Sequence, residues 1–275
     1  MGSTVWRVNQ PPPVALVTGA NHGIGAAIAE RLAADGCAVV LTYHSFEYPA
    51  DAEVPARQRA HHSADASAVL DRIERAGGRA VAVPADLMDS SRVPALFDAA
   101  EETFGPVDVL VNNATASLVD TFTSADVDWA GRALRGVTAD TFDRQFGVDA
   151  RAGALLIAEF ARRLQRRGGD WGRIISMTSG GEKGFPQEVS YGAAKAALVN
   201  YTMSASLELS AFGVTANAIH PPVTDTGWVT DDVREAVRRD PHFFSVAEPH
   251  EVADLAAFLV SRAADRITGN VIRMG

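Results

Sequence analysis

The sequence predicts an α/β fold in which a doubly wound parallel sheet of about seven strands carries helices on both faces. Three observations lead there. Short apolar runs of buried-strand type alternate with helical stretches from residue 14 onward. A glycine-bearing loop joins the first of those strands to the first helix. The polar motifs recur just beyond strand ends, which is where open parallel sheets bind ligands.

A chain of 275 residues, 47% hydrophobic, is long enough to bury one large core. Pro11, Pro12 and Pro13 cannot join a sheet ladder, so residues 1–13 read as a flexible tail and 14–275 as a single domain. The formal net charge of −9 argues against a nucleic-acid partner, because nothing supplies a basic stripe for phosphates. Arg162, Arg163, Arg166 and Arg167 suit the C-terminal end of a helix instead. A single cysteine, Cys37, excludes an internal disulfide and a cysteine metal cluster, and it suits a reducing compartment. With no 18-residue apolar run and no signal pattern, the expectation is a cytoplasmic protein with no membrane partner and no metal.

Residues 14–17 form the first strand and lead through Thr18, Gly19, Ala20, Asn21, His22, Gly23, Ile24 and Gly25 into a helix over 26–34. The glycines permit a tight turn and a close backbone approach to a pyrophosphate, which the helix N-terminus would attract with its N–H groups and dipole. Residues 38–42 are the second strand, at whose tip such folds read the adenosine ribose. A carboxylate there would bind the 2′-hydroxyl of NAD(H); the chain has Tyr43, His44 and Ser45 instead. With His22, His44 and Ser45 able to donate to a 2′-phosphate, NADP(H) is favoured and NAD(H) is the alternative.

Residues 46–62 lack periodicity and read as a surface insertion, followed by a helix over 65–76 and a strand over 80–84. Asp86, before Leu87, either caps the next helix or accepts from an adenine amino group. After a helix over 92–104 and a strand over 107–111 come Asn112, Asn113, Ala114 and Thr115, whose asparagines either bridge loop backbones or line a cofactor floor. Residues 116–138 carry no clear pattern, and 140–167 read as one long packed helix. The fifth strand, 173–177, ends at Thr178 and Ser179; strands over 214–219 and 269–273 and a helix over 250–261 complete the alternation, with a long loop running through Pro241.

Tyr191 and Lys195 stand at i and i+4 of the helix that follows the fifth strand, so they share one face. An ammonium beside a phenol favours the phenolate, so the expectation is a Tyr191 more acidic than the ordinary value near ~10 and usable as an acid or base.

Taken together, Thr18-Gly19 with Gly23-Ile24-Gly25, Asp86-Leu87, Asn112-Asn113-Ala114, Ser179, Tyr191 with Lys195, and residues 221–226 resemble the classical short-chain dehydrogenase/reductase family, in order and at similar spacings. The resemblance implies a Rossmann-like domain, a nicotinamide cofactor and a small-molecule carbonyl or alcohol substrate. It implies Tyr191 as the proton donor or acceptor, Lys195 as the holder of the nicotinamide ribose and the group that makes Tyr191 more acidic, and Ser179 as the hydrogen-bond donor to the substrate oxygen. Eleven residues separate Ser179 from Tyr191, one fewer than in a typical member, which keeps Thr178 as the fallback hydroxyl. Pro221, the backbone at Val223, and Thr226 correspond to the segment that holds the nicotinamide carboxamide.

Three departures stand out. Thr115 replaces a glycine, Pro222 replaces another, and Asp149 stands where the family has the asparagine of its catalytic tetrad. A carboxylate near Lys195 would stabilise its ammonium and alter the pH dependence. The expected activity is a ketone reductase or alcohol dehydrogenase, acting on a 3-oxoacyl thioester or on a secondary-metabolite ketone. A catalytically impaired, dinucleotide-binding regulator or scaffold is the alternative. The resemblance also implies a homodimer or homotetramer built on the helices over 140–167 and 191–212.

Overall fold

The computed structural model describes residues 11–47, 56–180, 184–240 and 244–275. Most of the tail, residues 1–10, lies outside them, as do residues 48–55 of the insertion. Among the described residues a seven-stranded parallel sheet is built from β1 (Val14–Thr18), β2 (Ala38–Tyr43), β3 (Arg79–Pro84), β4 (Val107–Asn112), β7 (Gly172–Met177), β8 (Val214–His220) and β9 (Val271–Arg273). Two further short strands, β5 (Asp120–Thr121) and β6 (Arg135–Gly136), pair with each other in the stretch that carries no pattern in the sequence. The spatial order is β3-β2-β1-β4-β7-β8-β9, so the order reverses between β1 and β4 and leaves a crevice beyond their C-terminal ends.

Period two explains how the sheet is covered on both faces. Ala15 and Val17 of β1 point into a core shared with α1 (Gly23–Ala34), α3 (Ser67–Arg75) and α9 (Pro249–Val260). Val14 and Leu16 point the other way, into a core with α4 (Arg92–Thr103), α6 (Gly153–Arg166) and the end of α7 (Val189–Glu208). Strands buried on both faces favour apolar residues at successive positions, which is why β1 and β2 read as continuous runs rather than alternations.

Three stretches differ from the sequence reading. The insertion is not irregular throughout, since α2 (Ala56–Ser63) is helical; it buries none of its residues and so shows no apolar period. The loop after β8 contains α8 (Asp231–Arg239), with Thr230 capping Val233 N and arginines in the last turn. The single helix expected over 140–167 is α5 (Ala139–Phe146), a π-helical turn over Gly147–Ala152, and then α6. Asp149 lies in that turn, and such bulges recur at functional sites.

The start of α7 is fixed from a distance. Its N-cap residue, Glu188, makes no side-chain cap. Asp120 of β5, fully buried, accepts from Ser190 N at 2.8 Å and from Ser190 Oγ at 2.5 Å. Asp120→Ala leaves both donors unsatisfied, and urea unfolding is expected to show a loss of about 1–3 kcal/mol, with Asp120→Asn recovering part of it.

Candidate active site

At the crevice, the loop between β1 and α1 is shaped by what its glycines allow. Gly19 and Gly23 have φ of +63° and +57°, and a Cβ on Gly25 would lie 2.2 Å from the Gly19 carbonyl oxygen. His22 at the N-cap of α1 makes no side-chain cap, and no acidic residue sits in the first turn, so the helix end presents amides and a positive dipole. Those features fit a dinucleotide pyrophosphate.

Asn113 and Ala114 hold this loop rather than lining it passively. Asn113 Nδ2 donates to the Thr18 and Gly19 carbonyls at 2.9 Å, and the amides of Asn113 and Ala114 both donate to Thr18 Oγ1 at 3.0 Å. Ile24 packs on the core and Leu87 is buried. Asp86 accepts from Met88 N at 2.9 Å, a local turn bond rather than a helix cap.

The proton-transfer candidates meet across α7, β7 and the π-helical turn. Lys195 Nζ lies 5.6 Å from the centre of the Tyr191 ring, so the pair does share a face. Ser179 lies close enough to the Tyr191 phenol to pull its pKa down, and Phe185 packs 6.0 Å from its ring. Thr178 is buried in β7's extension, its amide bonded to Ile219 O, so Ser179 is the hydroxyl that reaches Tyr191. Lys195 and Asp149 form an ion pair at 2.9 Å with 2% and 0% of their side chains exposed.

Burial, with Asp149 in support, works against the expected acidity of Tyr191. Desolvation raises the phenol above its ordinary value; Lys195 lowers it, but Asp149 and Glu188 push it up again, and the net direction is upward. For Lys195, burial works against the ammonium, while Asp149 and then Tyr191 outweigh it and leave the amine above its ordinary value.

Asp149 also organises the loop after β4. Its Oδ2 accepts from Ala116 N at 3.0 Å and from Gln145 Nε2 at 2.7 Å, and Gln145 Oε1 accepts from Leu118 N at 2.9 Å. Gln145 was not visible as a site residue in the sequence, although a Gln four residues before an Asp on a helix is a recognisable pairing. After Thr115, Ser117 takes a left-handed backbone with φ of 53°, and Ser117 N donates to Thr115 Oγ1 at 3.0 Å.

The segment after β8 begins at Pro221 and folds over the glycine loop. Pro222 O accepts from Thr224 Oγ1 at 2.8 Å, and Val223 O accepts from Ala247 N at 2.8 Å. The Thr226 side chain lies 3.0 Å from where a Cβ on Gly23 would be. The insertion helix α2 reaches the same place, so it is not simply a surface feature. His61 Nδ1 donates to Thr226 O at 3.1 Å, Arg57 pairs with the buried Asp225 at 3.2 Å, and Asn21 Nδ2 donates to Ala64 O at 2.9 Å. At the β2 tip, Tyr43 O accepts from Ala85 N, Ser45 Oγ donates to Ala64 O at 2.9 Å, and exposed His44 stacks on Phe46.

A glycine loop leading into a helix N-terminus, with a buried tyrosine–lysine pair on the same sheet, fits the nicotinamide-dependent oxidoreductases of the doubly wound class. Comparison with known proteins narrows this. Residues 19–274 match the family model described as enoyl-(acyl carrier protein) reductase. An uncharacterized oxidoreductase of Bacillus subtilis, YjdA, is 32% identical over 265 residues, covering 94% of both chains. A 3-oxoacyl-[acyl-carrier-protein] reductase of Synechocystis is 33% identical, covering 95% of this chain and 94% of that one. The structure of the angucycline C-6 ketoreductase LanV with bound NADP superposes with a TM-score of 0.77 at 33% identity, over 95% of this chain and 93% of that one. The chain belongs to the classical short-chain dehydrogenase/reductase family. Among the described residues no helix is long and apolar enough to cross a membrane.

Removing one partner of a buried ion pair strands the other. Asp149→Ala should therefore cost about 3–5 kcal/mol in urea unfolding at neutral pH. Because Lys195 is raised above its unfolded value, the pair's contribution is complete below the unfolded lysine pKa near ~10.4 and is lost as pH rises through the folded one. The gap between parent and Asp149→Ala should accordingly narrow in strongly alkaline buffer, and a gap that widened there would contradict the assignment.

Proposed function

We propose that the protein is an NADP(H)-dependent reductase of ketones, running reversibly as a secondary-alcohol dehydrogenase, with residues 14–275 as one catalytic domain. The observation that carries this reading is the meeting of Ser179, Tyr191 and Lys195 beside the glycine loop. Bound in the crevice, NADPH would supply the hydride taken up by the carbonyl carbon. Ser179 donates a hydrogen bond to the carbonyl oxygen and stabilises the charge that builds there. Tyr191 gives its phenolic proton to that oxygen, yielding the alcohol. Lys195 stabilises the phenolate left behind, and the weakened acidity of the buried phenol keeps Tyr191 protonated and ready to donate at neutral pH.

NADP(H) is supported by the lack of a carboxylate at Tyr43, His44 and Ser45, and by the NADP held by LanV. On the substrate side, Trp129 and Trp228 meet edge to face at 6.4 Å and Arg132 stacks on Trp228 at 5.3 Å. A 3-oxoacyl thioester and a secondary-metabolite ketone are the two substrate classes supported, the first by the name of the Synechocystis relative and the second by that of LanV. Phe142 of α5, Leu155 of α6, and Tyr201 and Leu207 of α7 are exposed, which supports pairing of these helices in a homodimer or homotetramer. Cytoplasmic residence remains part of the proposal.

One observation favours the second reading, a dinucleotide-binding regulator. Asp149 already pairs with Lys195 and competes with a ribose for its ammonium donors. NADPH consumption across a panel of ketones and 3-oxoacyl thioesters, alongside fluorescence titration with NADPH, separates the two. Turnover is expected, with Tyr191→Phe lowering kcat by about 10²–10⁴-fold while NADPH affinity is kept. Binding without turnover would establish the regulator instead.

Asp149→Asn provides an independent check. The carboxylate raises Tyr191, so its removal lowers the phenol's pKa. In the reductive direction the protonated phenol is required, so the alkaline fall in rate should begin at lower pH in the variant. An unchanged pH–rate profile would mean that the side-chain charge of Asp149 has no part in setting Tyr191.

A further inference from the structure

Three imidazoles converge where the glycine loop, the tip of β2 and the insertion helix meet. The His22 ring lies 5.4 Å from that of His61 and 5.1 Å from that of His62. His62 in turn packs 4.9 Å from Phe46, and its carbonyl accepts from Phe46 N at 3.0 Å, which ties the cluster to the end of β2. That is the place where a doubly wound fold holds the adenosine ribose. Among the described residues no cluster has the arrangement of a metal site.

We propose that His22, His61 and His62 form the receptor for the 2′-phosphate of NADP(H), so that the preference for NADP(H) over NAD(H) strengthens as the pH falls. The proposal rests on the cofactor reading above and deepens it.

The hydrogen bonds decide what the rings can offer. His22 Nδ1 faces the Asn21 side-chain oxygen at 3.1 Å and His61 Nδ1 faces the Thr226 carbonyl at 3.1 Å, so in both rings Nδ1 carries the hydrogen. Each Nε2 is then a lone pair when its ring is neutral and a donor only when the ring is protonated. A phosphate, which carries only acceptors when ionised, can bind such rings only as they take up protons. Without an anion, burial and then His62 and His61 hold His22 down at about 4, and burial followed by His61 lowers His62. A dianion placed among them reverses the mutual repulsion and drives that uptake.

The other charged groups around the cluster leave this logic intact. On α2, Arg57 is held by Asp225, which Arg234 of α8 also pairs, and Arg59 lies on the same helix. From the β2 side come exposed His44 and Glu47. Beyond α2, Asp65 accepts from Ser67 N at 2.9 Å. The cluster thus brings imidazoles to a place where the β2 tip itself carries no arginine or lysine.

The test is the dissociation constant of NADPH and of NADH, measured by fluorescence on the intact protein between pH 8.5 and 6.5 at constant ionic strength. Above pH 6.5 the phosphate's own second proton, near ~6 for a phosphate monoester, interferes little. NADPH affinity should rise toward low pH, approaching about tenfold per pH unit for each proton taken up, while NADH changes less than about twofold. His61→Asn, whose amide can still donate to Thr226 O, and His62→Gln should each flatten the NADPH slope and weaken NADPH about tenfold, leaving NADH alone.

A flat NADPH profile with NADPH still preferred would overturn the imidazole receptor and leave the cofactor reading standing. Equal tightening of both cofactors would place the rings on the pyrophosphate and overturn the 2′-phosphate assignment. Failure of both cofactors to bind at any pH would overturn both readings.

Discussion

The ion pair between Lys195 and Asp149 is the contact on which the rest of the site depends. Two charges removed from water are costly, and their attraction offsets that cost only when the geometry is good and the remaining lone pairs are satisfied. Asp149 satisfies its other oxygen by accepting from Ala116 N and Gln145 Nε2, while its Oδ1 has only the charge of Lys195 opposite it. One carboxylate thereby joins α7, the π-helical turn and the loop after β4, and these are the elements that frame Tyr191. A neutral amide at position 149 would keep the shape but not the charge balance.

The sheet explains why the elements meet there. The reversal of strand order between β1 and β4 opens a crevice at their ends, and β7 lies next to β4 in the same register. Asn113, just past β4, is therefore a neighbour of the glycine loop, and Ser179, just past β7, lies one strand further out. The buried cap from Asp120 sets where α7 begins and hence the height of Tyr191 above the sheet.

Much of this was legible in the sequence because spacing encodes it. The glycine positions, the Tyr191–Lys195 interval and the apolar runs each report a local geometry, and the sheet and the shared face of Tyr191 and Lys195 followed. What was not legible depends on contacts across the chain. Nothing near Tyr191 in sequence announces that Asp149 and burial together outweigh the lysine. Helix α2 has no buried face, so periodicity could not find it, nor its contact with Thr226. Ser117 adopts a left-handed backbone that its residue type does not announce.

The most direct test of the account is the ionisation of Tyr191 in the free protein, followed by NMR of tyrosine labelled with ¹³C at Cζ and assigned with Tyr191→Phe. If desolvation and Asp149 govern the site, the Tyr191 resonance stays that of a phenol to a pH above the free value of about 10, and Asp149→Asn ionises at lower pH. A Tyr191 already ionised near pH 8, or one indifferent to Asp149→Asn, would contradict the account, because the lysine alone would then be setting its acidity.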